Sequence, residues 1–121
     1  MILCNVPTGV VLPSGELTGS TNPADNWKVR NNSSSNNLNA GYLVIDGAIG
    51  NVLTNNSASN NGTFDIELAG DTERFGFLSP TSTQNYVNIG NQSGLTLKDC
   101  GDNNILEGAF SIIDNILEPC L

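Results

Sequence analysis

Residues 63–78 read TFDIELAGDTERFGFL, and this stretch decides the predicted fold. Apolar and polar residues alternate on both sides of the central AGDT turn, as they do in the two antiparallel strands of a hairpin. If Ile66 lies opposite Phe75, the apolar side chains share one face, and Glu67 lies opposite Arg74 on the other face. One register therefore satisfies the apolar face and the charge pair together.

Two more hairpins follow from the same alternation. Tyr42–Ile45 is expected to pair with Ala48–Asn51 through an Asp-Gly turn, and Tyr86–Ile89 is expected to pair with Leu95–Lys98. Short apolar runs recur along the chain between Asn- and Gly-rich breaks, which is typical of sandwiches and small barrels. We interpret Asn31–Asn39 as a polar loop and find no repeat with a period of roughly 20–50 residues.

The chain has 121 residues, a length that suits one domain. The prediction is a single all-β domain over residues 1–121, a jelly-roll-like β-sandwich of antiparallel hairpins with apolar N- and C-terminal segments. Residues 104–118 are ambiguous, because their apolar spacing fits a helix while Phe110 and Ile112 favour a strand. We favour a strand over residues 105–113.

The charge composition excludes several classes of function. The sequence has no His, 4 Lys and Arg, and 12 Asp and Glu, which gives a net charge of -8. Without His there is no Ser-His-Asp triad, no Cys-His pair and no His metal ligand. The negative charge opposes binding to nucleic acid, and four cations are too few for an anionic membrane patch.

No apolar run reaches the ~20 residues of a membrane helix, and Met1–Asn5 lacks the features of a signal peptide. Because the chain lacks His and the catalytic and metal sites that depend on it, we expect no enzyme activity, no catalytic or metal-binding residues and no cofactor. We also expect neither nucleic acid nor a membrane as a partner.

Two acidic stretches are the candidates for chemistry. Asp65 and Glu67 are two positions apart on a predicted strand, so their carboxylates share a face, as a glycosidase pair would. The derived register points both toward solvent, which favours a solvated strand face over an acid–base pair. The second stretch offers oxygens for Ca²⁺ without the spacing of an EF-hand, so we interpret it as a polar turn. Its residues are Asp99, Asp102, Asn103 and Glu107.

The chain has three cysteines, which are Cys4, Cys100 and Cys120. Secreted disulfide scaffolds usually contain more cysteines, in an even number. The odd count favours three reduced thiols, with a Cys4–Cys120 bridge as the alternative.

Some apolar residues exceed what a small sandwich can bury, and such an excess is typical of a subunit interface. The alternative is that loops and neighbouring strands cover these residues within the monomer. The candidate interface residues are Ile2, Leu3, Val6, Leu43, Val44, Ile45, Ile116, Leu117 and Leu121.

Trp27 is the single tryptophan, and it follows a predicted turn that contains Pro23. A lone Trp in a small sandwich is usually an anchor in the core or at its rim, whereas an exposed Trp can stack on a sugar ring. We favour the anchor in the core or at its rim, and Trp27 is the candidate glycan contact in the alternative.

Residues 25–29, Asp-Asn-Trp-Lys-Val, are similar to an Asp-x-Asn-Trp-x-Val pattern near the start of some bacterial surface β-sandwiches. In its Asn-, Ser-, Thr- and Gly-rich composition and its apolar termini, the whole chain resembles small all-β structural proteins of tailed-phage particles. These are capsid cement or decoration proteins and the β domains of fibres. The resemblance implies a homotrimer on the outside of a capsid, with the major capsid protein or another virion protein as its partner.

The expected function is that of a structural, non-enzymatic virion protein, assembled in the host cytoplasm, that binds and stabilises neighbouring capsid subunits. The alternative is a receptor- or glycan-binding β-sandwich domain of a phage fibre or surface adhesin. A small all-β domain can serve either role through shape, main-chain hydrogen bonds and apolar contacts alone.

Overall fold

A computed structural model of the chain describes residues 1–4, 6–7, 10–11, 17–18, 21–22, 24–45, 47–70, 72–74, 77–79 and 81–112. Side chains are described for residue 1 and for residues 24–45, 47–70 and 81–111. These parts of the chain consist of strands and turns, with no helix that could span a membrane.

The described strands are mostly short. They are β1 (Ile2–Cys4), β2 (Val6–Pro7), β3 (Val10–Val11), β4 (Leu17–Thr18), β5 (Thr21–Asn22), β6 (Lys28–Arg30), β7 (Ser33–Ser35), β8 (Tyr42–Ile45), β9 (Val52–Thr54), β10 (Ser57–Ser59), β11 (Ile66–Leu68), β12 (Thr72–Arg74), β13 (Phe77–Ser79), β14 (Tyr86–Asp99) and β15 (Ile105–Ile112).

The main sheet is parallel, so the predicted jelly-roll-like sandwich of antiparallel hairpins is wrong. Seven strands form this sheet in the order β1-β8-β11-β14-β9-β6, with β15 also paired to β14. Every pair within it is parallel, and the sheet is curled like half of a barrel. Short antiparallel pairs occur only beside it in the described chain, between β2 and β5, β3 and β4, and β12 and β13.

The register shows that the chain winds in stacked turns, which we call rungs. The first face of the stack contains β6, β9 and the beginnings of β14 and β15. The second face contains β7 and β10, and the third contains β1, β8, β11 and the end of β14. Because β14 is continuous from Tyr86 to Asp99, it joins the first and third faces into one curled sheet.

Corners between faces are made by residues with positive φ. In the described chain, the non-glycine residues of this kind are Asn26, Asn31, Asn36, Asn55, Asn60, Gln84 and Asn103. Asn is among the few non-glycine residues that adopt this conformation readily. Gly50, with φ of 69°, follows Asn26 in the next rung, and a Cβ there would lie 2.6 Å from Asn26 Oδ1. The described corners thus use mostly Asn and Gly, which explains much of the composition.

A ladder of buried amides runs along the stack just after the first corner. The N–H and Nδ2 groups of Asn51 both donate to Asn85 Oδ1, at 2.9 and 3.0 Å. Asn85 donates in the same way to Asn104 Oδ1, at 2.8 and 3.1 Å. Trp27 occupies the corresponding place in the preceding rung, and its N–H donates to Asn51 Oδ1 at 3.0 Å. The side-chain oxygen of each Asn in the ladder therefore accepts a hydrogen bond from a backbone N–H of the preceding rung.

Two shorter ladders flank the second face. Asn32 donates its N–H and Nδ2 to Asn56 Oδ1 at 3.0 and 3.3 Å, and Asn37 donates to Asn61 Oδ1 at 3.2 and 2.9 Å. Asn56 is buried, and its Nδ2 donates to Val29 O at 2.8 Å. The polar stretches between the predicted strands are thus structural parts of the rungs.

The hydrophobic core lies inside the rungs, where alternate residues of each face point inward. Its buried members are Val29, Tyr42, Val44, Ala48, Leu53, Ile66, Leu68, Val87, Ile89, Leu95 and Leu97. Tyr42 is also tied to the second face, because its hydroxyl donates to Ser57 O at 3.1 Å. Burial raises the pKa of the Tyr42 phenol, which keeps this donor protonated.

All three predicted hairpins are wrong, because the predicted strands pair with other rungs. Tyr42–Ile45 is β8, which pairs with β1 and β11. Tyr86–Ile89 and Leu95–Lys98 belong to one strand, β14, and Ile66–Leu68 lies between β8 and β14. Alternation identifies which residues point inward, but it holds no information about the partner strand. The expected strand over 105–113 is confirmed for Ile105–Ile112.

The statement that the chain has no repeat is also wrong. Residues 31–37 read NNSSSNN and residues 55–61 read NNSASNN, so two equivalent stretches differ at a single position. Ladder partners in these rungs are 24 residues apart. The next ladder steps span 34 and 19 residues, which hides the period in the rest of the chain.

Cys100, which directly follows β14, is disulfide-bonded. The partner sulfur lies outside the described side chains. The expectation of three reduced thiols is therefore wrong. The alternative Cys4–Cys120 bridge is wrong as well. Within the chain, Cys100 can bond only to Cys4 or to Cys120, so these two cannot also bond to each other.

Replacing Asn85 by Ala is expected to lower the free energy of unfolding by about 3 kcal/mol. The change leaves the buried Asn51 N–H and the Ala48 carbonyl without their bonds to the Asn85 side chain. Asn39→Ala is the matched control, since Asn39 is exposed and its side chain makes no hydrogen bond to the described chain; it should cost less than about 0.5 kcal/mol. Equal costs in urea unfolding would contradict the ladder's role.

Thiol titration tests the disulfide. In denaturant, the unreduced chain is expected to show one reactive thiol and the reduced chain three, because an intrachain bond uses two of the three cysteines. Three reactive thiols without a reductant would show that the bond does not form.

Candidate functional site on the first face

The first face presents two outward rows of side chains, because strand residues alternate between core and solvent. One row is Lys28, Val52, Tyr86 and Ile105, and the other is Arg30, Thr54, Asn88 and Glu107. Neighbours in a row are about 4.8 Å apart along the stack. The face therefore combines aromatic, amide and charged groups on a parallel sheet.

A hydrogen-bonded cluster lies where β14 and β15 pair. Tyr86 donates its hydroxyl to Glu107 Oε2 at 2.6 Å. Asn88 Nδ2 lies 3.1 Å from the same carboxylate oxygen and 3.1 Å from the Tyr86 hydroxyl. Asn88 is itself held by the Gly90 N–H, which donates to Asn88 Oδ1 at 2.8 Å. These contacts fix an aromatic ring, an amide and a carboxylate at the protein surface.

Trp27 and two cations occupy the other end of the first face. Trp27 is 57% exposed, so of the two predicted anchor positions, in the core or at its rim, the core is excluded. Lys28 and Arg30 are exposed on either side of the buried Val29. The site predicted from the sequence contained Trp27 without Lys28 and Arg30, although the alternation of these two cations with Val29 was visible in the sequence.

The candidate interface residues divide into three groups. Val44 and Ile45 are buried within the chain itself, and Leu43 is half-buried. Ile2, Leu3 and Val6 lie in β1 and β2, but their side chains are outside the described part. Ile116, Leu117 and Leu121 lie outside the described residues altogether. Val44 and Ile45 are therefore buried within the chain, where β8 lies between β1 and β11.

Asp65 and Glu67 are not the solvated pair that the hairpin register predicted. Asp65 is half-buried, and its Oδ2 accepts the N–H and hydroxyl of Thr96 at 3.0 and 3.2 Å. Its Oδ1 accepts Asn61 Nδ2 at 3.0 Å. Glu67 is only 7% exposed, and its Cα partner in β14 is Lys98. Asp65 thus links two rungs rather than facing a substrate.

The second acidic stretch is not assembled into a cation site. Asp99 Oδ1 accepts the Gly101 N–H at 3.0 Å and Asn104 Nδ2 at 2.9 Å. Glu107 belongs to the cluster with Tyr86. Among the described residues, no group of three or more His, Cys, Asp or Glu side chains is placed to hold a metal ion.

Comparison of the chain with protein-family models, with curated proteins and with solved structures finds no match.

Asp65→Ala is expected to lower the free energy of unfolding by about 2 kcal/mol, because it removes the carboxylate that Asn61 and Thr96 bind. Asp102→Ala removes an exposed carboxylate instead and should change stability by less than about 0.5 kcal/mol. Thermal and urea unfolding measure both. Identical stabilities would mean that Asp65 has no structural role.

Proposed function

We propose that the protein is a structural, non-enzymatic component of a virus particle, where it binds neighbouring subunits and strengthens the assembly. It acts as a homo-oligomer, most simply the trimer implied by its resemblance to capsid cement proteins. The observation that carries the proposal is that apolar side chains of the last described rung remain partly exposed to solvent.

That rung is β15, which pairs with β14 along one edge and with no other described strand. Leu106 and Phe110 pack against the core but remain only half-buried. Ile105, on the outward side of the same strand, is 58% exposed. An edge that is unpaired within the described chain, beside apolar surface, is the arrangement to which a strand of another chain adds.

Such an interface needs no reactive group. Main-chain hydrogen bonds supply affinity, and the apolar side chains on both sides of β15 supply buried area. On a capsid lattice, many weak contacts of this kind add by avidity. The partner would be a second copy of the chain or the major capsid protein, and the net charge of -8 would help keep particles dispersed.

The Cys100 disulfide is compatible with this setting. Disulfides persist on virion and cell surfaces, where the surroundings are oxidising. A covalent cross-link suits a protein that remains on a particle after release from the host.

A receptor- or glycan-binding role is the second candidate. The 57% exposure of Trp27 favours it, because an exposed indole is a common platform for a sugar ring. This role is compatible with a fibre or an adhesin as well as with a capsid surface.

Ile105→Lys tests the assembly proposal. By light scattering at micromolar concentration, the wild-type chain should be oligomeric and the variant should shift toward monomer, because a charge on β15 opposes burial in an interface. Ile49→Lys is the matched control, since Ile49 is also exposed, at 41%, but lies outside β15.

The control should keep the wild-type mass. A wild-type chain that is monomeric and does not co-sediment with particles would end the proposal. Equal dissociation of both variants would place the interface elsewhere than β15.

A further inference from the structure

The bonding partner of Cys100 follows from the register of the third face. Cys100 comes directly after β14 and is disulfide-bonded. The chain has two other cysteines, Cys4 and Cys120, so a bond within the chain joins Cys100 to one of these two. The strand order and the reach of the chain separate the two possibilities.

Cys4 is too far from Cys100 to be its partner. One row of the third face consists of Leu3 in β1, Val44 in β8, Leu68 in β11 and Asp99 in β14. The end members of this row are three strand spacings apart, which is about 14 Å along the stack. Cys4 and Cys100 directly follow these end members, so their Cα atoms are separated by a similar distance. A disulfide requires Cα atoms roughly 4–7 Å apart, which excludes a Cys4–Cys100 bond.

Cys120 is within reach of Cys100. Ile112 in β15 is the Cα partner of Leu97, and Leu97 lies three residues before Cys100 in the chain. One strand spacing and three strand residues together place the Ile112 Cα about 11 Å from the Cys100 Cα. The eight residues from Ile112 to Cys120 can span up to about 26 Å, so the chain is long enough to return to Cys100.

Non-covalent contacts hold the last rung weakly. In the described chain β15 pairs with β14 alone, and this pairing has two breaks in its register. Gly108 lies within β15 with φ of 131°, and a Cβ there would lie 2.3 Å from Ile89 Cγ1. Among the described side chains of β15, Leu106 and Phe110 are the two that pack against the core, and both remain half-buried. A strand with so little buried area opens more readily than the strands inside the stack.

We propose that Cys100 is bonded to Cys120 and that this bond is a redox-sensitive clasp, which keeps the last rung attached to the stack. Cys4 then remains a thiol. The bond closes a loop over residues 100–120, and this loop contains the whole of β15.

The clasp complements the amide ladder. At the start of the last rung, the N–H and Nδ2 of Asn85 donate to Asn104 Oδ1 at 2.8 and 3.1 Å. The disulfide ties the chain beyond β15 back to the end of β14, so the rung is fixed on both sides. Closing the loop restricts the conformations that a detached β15 can adopt, and this restriction favours the attached state.

Reduction reverses the clasp. A dithiol reductant transfers two electrons and two protons to the S–S bond, which yields two thiols, while the reductant itself becomes a disulfide. The last rung can then detach from β14 while the preceding rungs remain folded. The clasp concerns the cohesion of a single chain, so it does not depend on the proposed interface at β15.

Peptide mapping of the unreduced chain tests the pairing. The free thiol is alkylated in denaturant, and the chain is then cleaved by trypsin and a Glu-specific protease, which separate all three cysteines. Peptide 99–107 should remain bonded to peptide 108–121, and the alkyl group should lie on Cys4. A bond from peptide 99–107 to the peptide that contains Cys4, or alkylated Cys120, would overturn the pairing.

Thermal unfolding of serine variants tests whether the bond stabilises the chain. Cys100→Ser and Cys120→Ser should each lower the Tm by about 5 °C or more, and the double variant should match them, because all three lack the same bond. Cys4→Ser is the matched control and should melt within about 2 °C of wild type. Dithiothreitol should lower the Tm of wild type and of Cys4→Ser and leave the other variants unchanged. A loss in Cys4→Ser as large as that in Cys120→Ser would contradict the clasp.

Amide hydrogen exchange tests whether the bond acts on the last rung. In Cys120→Ser, the amides of β15 should exchange within about tenfold of the rate of an unstructured peptide, whereas those of β8 should stay protected about 100-fold or more. Both strands should stay protected in Cys4→Ser. Protection of β15 in Cys120→Ser, or its loss from β8 as well, would overturn the clasp. Neither result bears on the oligomeric state of Ile105→Lys, so the two proposals fail separately.

Discussion

The hydrogen bond from the amide of one rung to the Asn carbonyl of the next is the interaction on which the rest of the structure depends. Asn85 shows its full form, because its Oδ1 accepts two donors from Asn51 while its own two N–H groups donate to Asn104. The ladder satisfies main-chain donors at a corner, where strand pairing is interrupted. It also sets which rung lies next to which.

This constraint determines where polar residues are buried. Asn51 and Asn85 have no exposed surface, and an unpaired amide at that depth would cost more than most single apolar contacts supply. Fully paired, the amides fix one register of the stack, since a shift by one residue would leave each of them without its partner. The apolar core gives the stack its stability, and the amides give it a unique arrangement.

Local pattern was enough to predict part of this architecture. The β propensity of Phe110 and Ile112 correctly indicated a strand for Ile105–Ile112, and alternation correctly indicated an inward direction for Ile66 and Leu68. It did not indicate the parallel partners, because a parallel neighbour lies a whole rung away along the chain. The repeated NNSSSNN and NNSASNN stretches indicated which parts of the chain lie side by side. The interpretation of the first stretch as a polar loop left this repeat unused. The Tyr86–Glu107 contact, 21 residues apart, follows only once the rungs are in register.

One rung is longer than the others and still stacks in line. Asn51 and Asn85 are 34 residues apart, against 24 for the corresponding partners in the rung before, and the hairpin of β12 and β13 lies within the extra length. The amides at the corner nevertheless meet at ordinary hydrogen-bond distances. Chain length between rungs is thus decoupled from the geometry of the stack, so a foreign peptide grafted at this hairpin would be displayed without altering the scaffold beneath it.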